Sequence, residues 1–316
     1  MSLSSKPPRG PIAAFFSRPK YVRAVSQLVG GMLGTVRLLS ADEGETTPTP
    51  TPAVNKSPYT IFDPAPRQLW RPYNTDRSSK TDSPFTIDAG AFQMETDVIN
   101  YTMDRYTTDR AGQTVQTLLF GQTNFKVGLT NWMEFQIFPQ GYVEKRFSPT
   151  PVTPAKTIRG FGDTTLRLKV NVVGNDGGPF ILGVIASVKV PTNTANLGNK
   201  LVDFGLGVPF NYTLPAGFTL FGQTRIDIPK VDGRAARNIV WSNPVGVTRT
   251  ILGKLSGYAE FYSAVNSLRG VPWVGTADLG LSYQVTSNLA VDINGYFGLT
   301  RSADVVVLFT GFGYRF

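Results

Sequence analysis

From residue 85 to residue 316 the chain repeats segments of roughly 10–16 residues in which apolar and polar positions alternate, the period of a strand with two different faces. Twelve strands are predicted, at 85–100, 113–129, 133–146, 160–173, 180–191, 201–213, 218–229, 236–251, 255–266, 274–286, 289–300 and 304–316. In the last, Val306, Leu308, Thr310, Phe312, Tyr314 and Phe316 share a face, opposed by Val305, Val307, Phe309, Gly311, Gly313 and Arg315. In 160–173, Leu166, Leu168, Val170 and Val172 oppose Thr165, Arg167, Lys169 and Asn171. The same division recurs in 201–213 and 274–286. No run of 18 or more uncharged apolar residues occurs, so no segment qualifies as a membrane-crossing helix.

The connections add direction. Thr130-Asn131-Trp132, Gly174–Pro179, Leu214–Gly217, Leu252–Lys254 and Ser287-Asn288 are tight turns, whereas most of the alternating connections run longer. Short turns at one end and long loops at the other are the asymmetry of barrels that cross the outer membrane. The expected fold is all-β: a transmembrane antiparallel up-and-down β-barrel of about 12 strands, with a disordered N-terminal leader. Alternation alone does not separate this from a soluble barrel with its apolar face inward. Strand length favours lipid, because a tilted crossing needs about 9–11 residues, and Phe85, Tyr212 and Phe316 near strand ends suit an interfacial aromatic girdle. The apolar row ending in Phe316 resembles the signal by which the barrel-assembly machinery recognises its clients, so that machinery and outer-membrane lipid are the expected partners.

The first 84 residues have a different texture. Lys6, Arg9, Arg18, Lys20 and Arg23 precede an apolar run from Ala24 to Leu39, an arrangement resembling a secretory signal, so 1–41 is read as a signal or leader. Thr46–Pro52 alternates Thr and Pro, which forms neither helix nor central strand. Residues 42–84 are therefore expected to be a disordered linker, and 85–316 the barrel. The formal charge of +9 divides as +5 for residues 1–84 and +4 for the rest. No basic stripe suits nucleic acid, and none is expected as a partner.

Composition excludes much chemistry. The chain has no His and no Cys, which removes imidazole bases, thiolate nucleophiles and the usual zinc sites. Only 17 % of residues are charged, as suits strands that show one face to hydrocarbon. No catalytic, cofactor-binding or metal-binding residues are expected. The ionisable residues assigned to a lumen face are Glu95, Asp97, Lys126, Glu134, Arg167, Lys169, Lys189, Arg225, Asp227, Glu260, Asp278 and Asp292, with Arg315 beside the C-terminus. Mixed signs there either select solutes by charge and size or pair as filling. A barrel this narrow is often plugged by side chains or loops.

Gly160-Phe161-Gly162-Asp163, followed by Leu166-Arg167-Leu168-Lys169, is similar to the Gly-x-Gly-Asp strand motif of the bacterial MetA-pathway of phenol degradation family of outer-membrane transporters. Gln93–Asp97 with Asn100-Tyr101, and Val127–Thr130, extend the resemblance over 85–316. It implies a single-chain barrel associated with uptake of small compounds, aromatic or hydrophobic ones among them, and no catalytic residues. Gly160, Gly162 and Asp163 are the motif positions, and for Asp163 a turn-capping role is expected. The competing reading is a non-conducting barrel serving the envelope as structure or as a surface for interactions.

Overall fold

The computed structural model describes residues 55–105, 113–151, 153–230 and 237–316. The expected signal region and the Thr/Pro repeat lie outside the described residues. Fifteen strand segments are found among those described: β1 (Phe92–Asp104), β2 (Val115–Thr130), β3 (Met133–Pro139), β4 (Tyr142–Phe147), β5 (Lys156–Phe161), β6 (Thr164–Val173), β7 (Phe180–Val190), β8 (Asp203–Thr213), β9 (Phe218–Ile228), β10 (Val240–Ser242), β11 (Val245–Leu252), β12 (Leu255–Asn266), β13 (Val274–Thr286), β14 (Leu289–Gly298) and β15 (Val306–Arg315). Three of the twelve predicted strands are each interrupted, at Gln140-Gly141, Gly162-Asp163 and Asn243-Pro244. The last break follows from proline, which has no N–H for the ladder. Joining β3 to β4, β5 to β6 and β10 to β11 leaves twelve antiparallel staves. β1 pairs both β2 and β15, so the sheet closes on itself. Closure leaves no free edge, which is what a sheet in lipid requires.

The two faces are segregated as the alternation requires. Ile137, Leu168, Leu206, Ile226, Val291, Ile293 and Leu308 are exposed on the outside. Trp132, Phe180, Tyr212, Tyr283 and Phe316 ring one end of that surface, and Phe161, Phe261, Trp241, Trp273 and Phe297 ring the other. The opposite faces carry the buried polar groups, among them Gln93, Glu95, Lys126, Glu134, Gln136, Lys169 and Asp278. Polar inside and apolar outside is the reverse of a soluble core.

The expected barrel boundary at 85 and the disordered linker up to 84 are both corrected. Residues 55–91 are ordered and belong to the same compact unit as the strands, Ala53–Phe316. Arg77 contacts Asp97 on β1 and Asp292 on β14. Lys80 reaches Asp278 on β13, Thr81 reaches Glu260 on β12, and Asp82 reaches Gln223 on β9 and Arg167 on β6. A short stretch that meets strands all round a closed barrel lies inside it. It enters and leaves at the tight-turn end: Arg71 bonds Asp176 in the turn 174–179, and Ala91 leads into β1. Residues 71–88 thus form a hairpin within the barrel.

Residues 85–91 imitate a strand in sequence, but the N–H groups of Phe85, Thr86 and Ile87 go to side chains, and only Gly90 and Ala91 exchange backbone hydrogen bonds with Gly128 of β2. Thr86 N donates to Asn175 Oδ1 at 3.1 Å and Ile87 N to Glu134 Oε2 at 2.7 Å. Phe85, expected in the girdle, lies inside, where its carbonyl accepts from Lys169 Nζ at 3.2 Å.

Candidate functional site

The interior is built from two charged walls and a hairpin that matches both. β2, β6 and β9 contribute Lys126, Arg167, Lys169 and Arg225. β1, β12, β13 and β14 contribute Asp97, Glu260, Asp278 and Asp292. The hairpin turns Asp76 and Asp82 toward the first wall and Arg77 and Lys80 toward the second. Asp76 lies 2.6 Å from Lys126 Nζ and 2.6 Å from Lys169 Nζ, and it accepts from Gln136 Nε2 at 2.9 Å. Its Oδ1 also accepts the Ser83 N–H at 2.9 Å, which ties the two arms of the hairpin together. Arg77 grips Asp292 through Nε at 2.9 Å and Nη2 at 2.7 Å while also bonding Asp97. This bidentate fork gives geometric definition as well as charge.

The apex is held by tyrosines. The Ser78 carbonyl accepts from Tyr258 Oη and, at 3.0 Å, from Tyr296 Oη. Ser78 has φ +87°, a left-handed backbone rare outside glycine. Lys80 Nζ sits 4.4 Å from the ring centres of both Tyr262 and Tyr296 and 3.2 Å from Asp278. Glu260 accepts the N–H groups of Lys80 and Thr81 at 2.9 and 3.1 Å, and the Thr81 hydroxyl at 2.5 Å. At the turn end, Lys56 pairs with Asp88 at 2.9 Å and Asp176 at 2.8 Å, and Arg71 joins the same carboxylates. Arg315 donates to the Arg71 carbonyl at 2.9 Å and lies over Trp70.

Off the strands, three carboxylates are held below their ordinary range. Burial alone would raise Asp76, but Lys126 and Lys169 outweigh it. For Asp82 burial is likewise overcome, chiefly by Arg167. Asp176 is brought down to about 2, because hydrogen bonds from Arg71, Lys56 and Asn131 exceed the cost of its burial.

Most of the sequence-assigned ionisable residues meet the hairpin: Asp97, Lys126, Arg167, Lys169, Glu260, Asp278 and Asp292 do so as described. Glu95 accepts the Asp76 N–H and pairs with Lys126 at 2.6 Å, while Glu134 pairs with Lys169 at 3.2 Å. Glu95 and Asp97, two positions apart, are not a carboxylate pair, for each answers a different cation. Arg225 closes on its own neighbour Asp227 at 2.8 Å, and Lys189 pairs with Asp163 and Asp203 at 3.1 and 2.7 Å. Asp163 also accepts the Asn193 N–H at 3.1 Å and its Nδ2 at 2.6 Å, which fastens the loop after β7. Gly162 leaves room for Gln140, and Gly160 for Thr194.

Sequence reasoning missed the hairpin itself, with Arg71, Asp76, Arg77, Lys80, Asp82 and Asp88, and Lys56 in the segment before it. One signal was present on the strands. Gly128 and Gly313 lie where the interior segment comes closest. A Cβ at Gly128 would collide with the Asp88 carbonyl, and one at Gly313 with the Tyr73 hydroxyl. Between the hairpin and β8, β9, β11, β12 and β13 lies a cavity of about 170 Å³, lined by residues including Asn74, Ser83, Asn211, Phe221, Thr248, Ser256 and Tyr258.

The structure resembles that of an outer membrane channel from Pseudomonas putida F1, with 11 % sequence identity and a TM-score of 0.54, over 77 % of this chain and 100 % of that one. It is also similar to the translocator domain of the autotransporter NalP from Neisseria meningitidis (12 % identity, TM-score 0.48, 72 % of this chain and 88 % of that one). No curated protein matches the sequence. The twelve-stave closed barrel with an apolar exterior is an outer-membrane barrel, and its surroundings are lipid. A family profile matches residues 75–316 and so takes in most of the hairpin together with every strand, which makes this chain a member of the MetA-pathway of phenol degradation family.

Proposed function

We propose that this protein is an outer-membrane channel through which small solutes, aromatic compounds among them, move down their concentration gradients. One observation carries the reading. The interior is filled by a docked length of chain, not by strand side chains meeting across the centre. Among the described residues no backbone–backbone hydrogen bond joins 71–87 to a strand, so the hairpin can shift without opening the sheet. The polarised walls then provide a transverse field that sorts solutes by charge and size. The family's association with phenol degradation supports aromatic solutes. The protein works as a passage and not as an enzyme, and its chemistry is that of a lining.

A second reading, a structural barrel that conducts nothing, is favoured by the dense ion pairing at the level of Asp76 and Arg77. Purified protein in planar bilayers and in phenol-uptake proteoliposomes separates the two. Unitary conductance or protein-dependent phenol flux supports the channel. A folded, heat-modifiable barrel silent in both assays overturns it.

A further inference from the structure

Asp82 occupies a site that the wall makes without it. Its Oδ1 accepts from Arg167 Nη1 at 2.9 Å, and its Oδ2 accepts from Gln223 Nε2 at 3.2 Å and lies 3.9 Å from Arg225 Nη1. Its N–H donates to Gln223 Oε1 at 2.8 Å. Two guanidinium donors at the same place, Arg167 Nε and Arg225 Nη1, are buried with no hydrogen-bond partner. Arg225 spends its other nitrogens on Asp227 and Ser187. The wall therefore offers more donors than the hairpin's single carboxylate uses, and two arginines with an amide are the donor set suited to a planar carboxylate. The 170 Å³ cavity adjoins the site: Asp82 lines it together with Phe221 and Tyr258, whose ring centres stand 6.2 Å apart.

We propose that Arg167, Gln223 and Arg225 form a carboxylate-binding site of the lumen wall, that Asp82 is its internal ligand while the hairpin is docked, and that small aromatic carboxylates compete with Asp82 for it. The inference rests on the channel reading and deepens it by naming a solute class. An internal ligand lowers the apparent affinity of an external one by the fraction of time the site stands open. Its removal therefore tightens solute binding without adding a contact.

The test is calorimetric titration of the full-length, detergent-folded protein with benzoate and, as the neutral isostere, benzamide. Asp82→Asn keeps the side chain's shape and removes its charge. It is expected to bind benzoate at least tenfold more tightly than the unaltered protein, with benzamide unchanged. Adding Arg167→Gln to that variant is expected to abolish the gain. Equal benzoate affinity with and without Asp82→Asn, or an equal gain for benzamide, overturns the site. Should the variant fail to fold as a heat-modifiable barrel, hydrogen exchange on the unaltered protein decides. Benzoate but not benzamide then speeds exchange at the Asp82 and Ser83 amides, and no difference between the two overturns the site. Benzoate flux into proteoliposomes reads the channel separately: charge-dependent binding without flux keeps the site and removes the channel, and flux without such binding does the opposite.

Discussion

The Asp76 carboxylate lies 2.6 Å from the Nζ of Lys169, a side chain with 0 % exposure, although 93 positions separate the two residues. One comes from a stretch with no regular structure and the other from the middle of a strand. Their pairing holds the hairpin to the barrel wall, and it also explains how so long a cation is stored inside a sheet.

Lys169→Met keeps most of the side-chain volume and leaves both Asp76 and Glu134 short of a partner. Removing one member of a buried pair costs about 3–5 kcal/mol. The loss is expected to fall on hairpin docking, with faster hydrogen exchange at residues 76–83 and little change across β6 and β7. Adding Asp76→Asn to Lys169→Met is expected to recover part of the loss, because the two sites are coupled.

Gly128→Ala tests whether the wall is shaped for the segment. The added methyl has no room beside the Asp88 carbonyl, and that atom is backbone, so the segment and not a side chain must move. Single-channel recording is expected to show a larger or longer-lived open state than in the unaltered protein. Gly177→Ala, where a Cβ meets open space but φ is +133°, controls for strain unrelated to the segment.

Acid is expected to loosen the turn end of the hairpin. Asp176 ionises at about 2 in the folded protein against 3.8 for the free side chain. A lowered carboxylate stabilises the state that holds it ionised, fully above about pH 4, and that contribution disappears as the pH falls toward 2. Limited proteolysis at residues 55–75 is expected to be constant from pH 7 to 5 and to increase below pH 4. Asp176→Asn is expected to show the increased cleavage at every pH.

Phe316→Ala is expected to affect assembly more than stability. The Phe316 N–H donates to the Phe92 carbonyl at 2.8 Å across the closing seam, and its ring stands edge-on to Tyr314 at 4.9 Å. Phe316→Ala keeps that hydrogen bond and loses only a half-exposed ring. The variant is expected to refold in detergent at an unchanged rate while the barrel-assembly machinery folds it several-fold more slowly. Time courses of the heat-modifiable form in the two settings check this.

Strand number, sidedness and the polarity of the two ends were all legible before any coordinates, because each follows from a local rule. A period of two needs only neighbours, and a tight turn needs only its few residues. Pro244 and Gly162-Asp163 mark breaks that the same rules contain and that were read through. The segment 85–91 alternates like a strand, although Asn175 and Glu134 take the N–H groups of Thr86 and Ile87. Residues 55–84 resemble a spacer for a physical reason: they are rich in Pro, Ser and charge and show no apolar periodicity, and such a chain has little to bury in water. Inside a polar barrel that requirement is inverted, so charge and hydrogen bonds do the holding.

The sequence by itself determined a barrel of about twelve strands with lipid outside and ionisable groups inside, since alternation, strand length and turn chemistry are properties of the chain as written. Only the tertiary structure decided what those ionisable groups face. Asp76 meets Lys169, and Arg77 meets Asp292, through closure of the sheet around the hairpin. Charges so distant along the chain carry no mutual signal until a fold brings them within a few ångströms.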